Sequence, residues 1–394
     1  MVMNKKIEDA RQAALNVLKL SKRELERGLE LHNDAFVMES YGFTPRCYVP
    51  EDTYADCVEL PEYINEFEEY NNVSFMDNIE LRNECREAWE ASGVNAAIVN
   101  SGFESNVVET LLKRLSFQIR ATDKYPDFYQ KITNTVQLAD AYKKCCAGLV
   151  LTTNAIPISN PVSIEETEFL LRIFHNLGVR MMHFTYNRAN FFGSGCGESN
   201  DGGVTDFGRR IIRAMNKNKI IIDISHSGMR TSLEAAEISE MPIMASHTVM
   251  GALSDHYRAK NDEVCRAIVK KNGLIGICCY PLFLQNSGDI NAFLDHIDYA
   301  VEHFGADHVA IGSDRQYDCG IAPVKSIMPK QRAKHEHLWS KPASDFVVTP
   351  AMTASLEWTN FPLFTCGMLQ HGHSEKDIRK ILGENVVRVL KSHE

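Results

Sequence analysis

The feature that most limits what this 394-residue chain can fold into is a recurrence: short apolar runs of strand character, each followed by an amphipathic segment of helix length. The runs are VNAAIVN (94–100), AGLVLTT (147–153), GVRMMHFTY (178–186), KIIIDIS (219–225), MPIMASH (241–247), GLIGICC (273–279) and HVAIGSD (308–314). Among the segments between them are TDFGRRIIRAMNKN (205–218), RTSLEAAEISE (230–240) and DEVCRAIVKKNG (262–273). Pro242 follows the second of these and Gly273 closes the third where a C-terminal cap belongs. Strands apolar along their whole length are buried on both faces, as in a parallel sheet covered by helices. One more strand is expected around residues 31–38, making eight β/α units and hence a (β/α)8 TIM barrel of α/β class. Residues 1–30 read as an N-terminal helical extension. Residues 315–350, polar and broken by prolines, read as a long insertion after the last barrel strand, lying over the active-site face. With no repeat and no linker, residues 1–394 are expected to form a single barrel domain.

Composition narrows the partners. The chain carries 42 basic and 52 acidic residues, net charge −10, which argues against nucleic acid or an anionic membrane surface as a partner. No G-x-G-x-x-G follows a strand and no Walker motif occurs, so nucleotide-binding folds lose weight. Eleven cysteines are scattered without a C-x-x-C pair. The adjacent pairs Cys145–Cys146 and Cys278–Cys279 read as small hydrophobes, and an odd count without a framework favours a reducing compartment. The first residues are too charged for a signal peptide, and no run of about 18 apolar residues follows. A cytoplasmic protein acting on a small molecule is expected. A homodimer is the default assembly.

Barrel chemistry is built at the carboxyl ends of strands. His226 and His247 each end an apolar run, and Asp314 ends another. His32 and Asp34 form an H-x-D pair that would share one face of a strand. Three imidazoles and two carboxylates converging at one mouth would hold Zn²⁺ or a similar ion, which favours nitrogen and oxygen donors. Each residue alone has an ordinary reading. His226 or Asp314 would serve as a helix cap, and a lone H-x-D is often a chance match. The constellation is stronger than its members.

The residues that carry this pattern resemble the membrane dipeptidase (renal dipeptidase, peptidase M19) family of the amidohydrolase superfamily, in a divergent bacterial-type branch. The matching text is HND (32–34), LGVRMMHFTYNRAN (177–190), GGVTDFGRRIIRAMN (202–216), IDISHSGMRT (222–231), ASHT (245–248), HYRAKNDEVCRAI (256–268), AIGSD (310–314) and ILGENVVRVL (381–390). The resemblance implies a barrel with a binuclear zinc centre that hydrolyses dipeptides. It assigns His32 and Asp34 to one ion and His226 and His247 to the other. Asp314 becomes the proton shuttle to the leaving amine, and Arg258 a fork for a substrate carboxylate. Arg258 also has an ordinary reading as a surface arginine. There are two departures. The family's bridging glutamate falls on Thr152 or Thr153, and a substrate-contacting histidine is replaced by Tyr186, which still donates a hydrogen bond to an oxyanion but also reads as a packed core tyrosine. Loss of the bridging carboxylate weakens a two-ion site, so one or two ions remain open, with the H-x-D half expected to be the better retained. Hydrolysis of a lactone, cyclic amide or other specialised metabolite, and a non-catalytic barrel, stand as alternatives.

Overall fold

A computed structural model of the protein describes residues 4–47, 76–102, 104–320 and 345–394. Eight parallel strands follow one another in chain order: β1 (Met38–Gly42), β2 (Ala96–Asn100), β3 (Ala147–Thr153), β4 (Val179–His183), β5 (Ile221–Asp223), β6 (Met244–Thr248), β7 (Leu274–Ile277) and β8 (Val309–Ile311). A short strand, Tyr129–Lys131, pairs beside β3. Just beyond β8 and β1 the ring is drawn together by Asp314 N–H donating to Tyr41 O (3.2 Å) and Phe43 N–H donating to Arg315 O (3.0 Å). This is the (β/α)8 barrel that the alternation of runs predicts.

Strand periodicity sorts the side chains into two layers. Met38, Ala96, Ile98, Val150, Met181, Ile221, Met244, Leu274 and Ala310 belong to one buried cluster within the barrel. Their neighbours Ala97, Leu149, Val179, Ile222, Ile275 and Ile311 join the larger cluster beneath the surrounding helices. Inside the barrel the backbone comes close: a Cβ on Gly276 or Gly312 would stand 1.9 or 1.8 Å from Ser246 O. Only glycine fits there.

Two expectations need correction. Residues 31–38 are not a strand. After α1 (Lys5–Leu18), α2 runs from Lys22 to Asp34, and the first barrel strand begins only at Met38. Ser21 caps α2 through a capping box, with Glu24 N–H donating to Ser21 Oγ and Ser21 N–H to Glu24 Oε2. That motif commits the following turns to helix, and it buries Gly28, Leu31 and His32 on one face. Second, the segment after β8 opens with a strand rather than a loop. Gln316–Cys319 pairs in parallel with Thr44–Cys47. The rest of the expected active-site loop, through residue 344, lies outside the described residues. Among the described residues no helix is long and apolar enough to cross a membrane.

Candidate metal centre at the barrel mouth

Period two decides what the strand ends present. Met181 and Ile221 lie in the barrel interior, so His183 and Asp223, two residues on, point the same way. Register makes them direct partners, and His183 Nε2 lies 2.6 Å from Asp223 Oδ2, both side chains fully buried. His226 stands in the turn after β5 and His247 within β6. One donor atom from each of His183, His226 and His247 lies within 4.8 Å of the others, and the Nε2 atoms of His226 and His247 are 3.0 Å apart.

Each ring is oriented by its other nitrogen. His226 Nδ1 meets Asn187 Oδ1 at 2.7 Å. His247 Nδ1 meets Ser246 Oγ at 2.8 Å, and Ser246 is itself bonded to Asp223. His183 lies against Asp223 through Nε2 as a close ion-pair contact, and neither of its ring nitrogens makes a hydrogen bond of good geometry. One buried carboxylate therefore orients two of the three imidazoles, the support that metal-binding histidines need. Burial favours the uncharged form of Asp223, but the neighbouring His183 and His247 and the Ser246 hydroxyl outweigh it and hold the carboxyl well below its usual range. Burial, reinforced by the Arg258 charge, pushes His226 and His247 well below the usual imidazole range. They stand neutral, the form that binds metal. Three imidazoles converging in this way, with the ring nitrogens of His183 not taken up by hydrogen bonds, fit a single ion such as zinc.

The H-x-D pair does not join them. His32 and Asp34 are on α2, outside the mouth. His32 is buried, with Nδ1 2.8 Å from Thr365 Oγ1 and Nε2 2.9 Å from Ser92 O, while Asp34 is exposed and pairs with Arg379 at 2.5 Å. The strand that faces the mouth instead carries Glu39 and Tyr41. Glu39 turns away: it accepts from Ser313 N–H at 3.0 Å and from Trp358 Nε1–H at 2.9 Å. Tyr41 stacks on His247 with ring centroids 4.0 Å apart. Thr152 and Thr153 end β3 buried and offer no carboxylate. The expectation that the H-x-D half is the better formed is therefore reversed. The half gathered at the mouth is that of His226 and His247, joined by His183.

Above the histidines opens a cavity of about 380 Å³, lined among others by Tyr41, Glu104, Asn154, Tyr186, Arg258 and Asp314, a size ordinary for small-molecule sites. Tyr186 stacks on His226 at 4.1 Å. Glu104 accepts from Asn154 Nδ2 at 2.9 Å, and Asn154 Oδ1 accepts from Tyr41 Oη at 2.8 Å. Arg258 is not a surface residue. Its guanidinium is buried and donates to the carbonyls of Ser225 and His247 (3.1 Å to the latter), tying the ends of β5 and β6 together. Asp314 has a left-handed backbone, φ 56°. Burial pushes its carboxyl up to about 7, against the pull of Arg258 and Arg315.

Sequence reasoning passed over His183, Asp223, Tyr41, Glu104 and Asn154. The first two had a signal. His183 follows Met181 by two within an apolar run, and a charged residue inside IIIDIS demands a buried partner.

The sequence model of the membrane dipeptidase family (peptidase family M19) matches residues 60–328. The chain belongs to that family. The matched span begins downstream of His32, Asp34 and β1 and includes His183, His226, His247, Arg258 and Asp314. Among curated proteins, dipeptidase tcpJ of Claviceps purpurea is 27% identical over 255 residues, covering 63% of this chain and 51% of the relative. Dipeptidase aclJ of Aspergillus oryzae is 26% identical over 220 residues, covering 54% and 51%. The chain spans about half the length of these relatives. Among solved structures, an amidohydrolase from Pseudomonas aeruginosa superimposes with a TM-score of 0.70 at 23% identity, covering 93% of this chain and 98% of that one. A metallopeptidase from Rhodobacter sphaeroides, liganded with a phosphinate mimic of L-Ala-D-Ala, gives 0.67 at 17% identity, covering 91% and 99%. At these identities the likeness is one of fold.

Proposed function

We propose that the protein is a metal-dependent hydrolase of small, dipeptide-like amides, working with one ion held by His183, His226 and His247. The observation that carries this reading is the three-imidazole group at the floor of the mouth, with two of its rings oriented by Asp223. An ion there, zinc being the best match to three nitrogens, supplies Lewis acidity toward a carbonyl and makes a water easier to ionise. The chain's own groups do the rest. Asp314, poised near neutrality, takes the proton of the attacking water and returns it to the leaving nitrogen. Tyr186 donates a hydrogen bond toward the oxygen on which negative charge develops. Arg258 and Glu104 give the cavity a cation and an anion, which suits a substrate with a free carboxylate and a free ammonium group. The naming of both curated relatives as dipeptidases, and the dipeptide mimic bound by the Rhodobacter protein, support the same substrate class.

A second reading shares the site but not the substrate. Among the described residues His32 and Asp34 stand away from the mouth, and Tyr41, Phe43, Tyr257, Tyr280 and Phe283 line its wall. These features favour a bulkier amide or ester, such as a cyclic amide or lactone. Turnover of L,L- and L,D-dipeptides, measured beside a panel of aryl esters, lactones and cyclic amides, separates the two. Dipeptide hydrolysis that vanishes in His247→Ala supports the first. Hydrolysis confined to esters, lactones or cyclic amides supports the second. No turnover of any of them by metal-loaded protein would contradict both.

A further inference from the structure

Away from the histidines, a second group of metal-capable side chains is left unused by the proposed reaction. Cys47, Cys85 and Cys319 come from three separate elements: the strand Thr44–Cys47, the helix α3 (Ile79–Ser92) and the strand Gln316–Cys319. Their sulfurs all lie within 4.8 Å of one another. Cys85 Sγ stands 3.0 Å from Cys319 Sγ and 3.7 Å from Cys47 Sγ. The thioether of Met76 lies 3.9 Å from Cys47 Sγ. All three cysteines are buried, at 4%, 0% and 0% exposure.

Buried cysteine ordinarily needs no explanation beyond packing, and Cys265 or Cys366 fit that account. Three sulfurs converging from distant parts of the sequence do not. An ion about 2.3 Å from each sulfur sets them roughly 3.8–4.0 Å apart; Cys47 and Cys85 already stand near that spacing, and the closer Cys85–Cys319 pair opens on binding. Thiolates with a nearby thioether select thiophilic cations over hard ones such as magnesium or calcium. Three anionic sulfurs could not stay charged in this apolar setting without a cation to offset them. We propose that Cys47, Cys85 and Cys319 form a buried trithiolate site for a thiophilic d¹⁰ cation, zinc(II) or copper(I), separate from the barrel mouth.

Its location gives it a purpose. The strand bearing Cys47 follows Tyr41 and Phe43 of the cavity wall, and the strand bearing Cys319 follows Asp314. The two strands pair with each other, and Glu84 of α3 reinforces the junction, accepting from Tyr317 Oη at 2.9 Å and Gly320 N–H at 2.8 Å. A cation bound by the three thiolates staples the two short strands that follow the first and last barrel strands to α3 at the rim. Each thiol loses its proton on binding, so loading releases protons to solvent.

Titration of the reduced, metal-free protein with Cd²⁺ tests this, followed by the thiolate-to-cadmium charge-transfer absorption that imidazole ligands do not give. The expected result is a band saturating at one equivalent, kept in His247→Ala and in Cys145→Ser and lost in Cys85→Ser. Back-titration with Zn²⁺ or with Cu⁺ should displace the cadmium. Should Cys85→Ser fail to fold, Cys47→Ser makes the same comparison. No thiolate band in the wild-type protein, or an undiminished one in the cysteine variant, would overturn the proposal, as would a Cys85–Cys319 disulfide in protein purified without air.

Discussion

His183 carries the main difference between what the strand ends promise and what the mouth holds. It takes a place beside His226 and His247 that neither His32 nor Asp34 reaches, and Asp223 fixes its ring. Replacing Asp223 with Asn keeps the shape but removes the charge that orients two imidazoles. The expected result is a loss of about 10–100-fold in metal affinity, read by competition with a chromophoric chelator; unchanged affinity would remove Asp223 from the centre. His32 is expected to matter only for stability. Truncating it to Ala strips partners from Thr365 and Ser92 and opens a hole, costing about 3 kcal/mol in denaturant unfolding while leaving kcat/KM of the folded protein unchanged.

Asp314 supplies a pH test at the same scale. Its carboxyl is pushed up to about 7 by burial, so it becomes an effective base only as the pH rises through that value, and a cation on the histidines moves the limb lower. The acid limb of kcat/KM is expected at or just below pH 7, and Asp314→Asn should abolish it together with most of the rate. A limb of the same position in the variant would assign the proton to another group. His226 and His247 are legible in sequence because each closes an apolar run. His183 is hidden within its run, and only the interior position of Met181 reveals where it points.

At the scale of elements, strands betrayed themselves by apolar character on both faces, and the β/α order follows directly from that pattern. The first unit failed for a local reason. L-E-L-H-N-D reads as a strand with a metal motif only if the Ser21–Glu24 capping box is ignored, and that box fixes a helix. The true β1 has Glu39 buried where a strand packs against the Trp358 turn. Burial raises this carboxyl to about 8, opposed by its bonds to Ser313 and Trp358. Its folded pKa exceeds its unfolded one, so the folded chain holds the proton longer. The stabilisation is complete below about pH 4.5 and is lost as the pH rises to about 8. Unfolding free energy should fall across that window by up to about 1.4 kcal/mol per pH unit from this group. In Glu39→Gln the fall should be shallower, as read from urea midpoints at several pH values. An equal slope in the variant would show that Glu39 is ionised throughout.

For the whole molecule, the barrel was legible because eight units in series have few other ways to bury both faces of their strands. The convergence at its mouth was not, since the sequence alone does not reveal strand register, and it is register that sets His183 against Asp223. The same holds for Cys47, Cys85 and Cys319, whose spacing matches no finger pattern and whose meeting depends on two short strands outside the barrel. The central claim is that one ion sits on His183, His226 and His247 while His32 and Asp34 hold none. Elemental analysis of zinc-loaded wild-type, His183→Ala and His32→Ala proteins tests it most directly. The expected result is one ion per chain fewer in His183→Ala than in wild type and the wild-type number in His32→Ala; metal lost from His32→Ala and retained in full by His183→Ala would contradict the assignment.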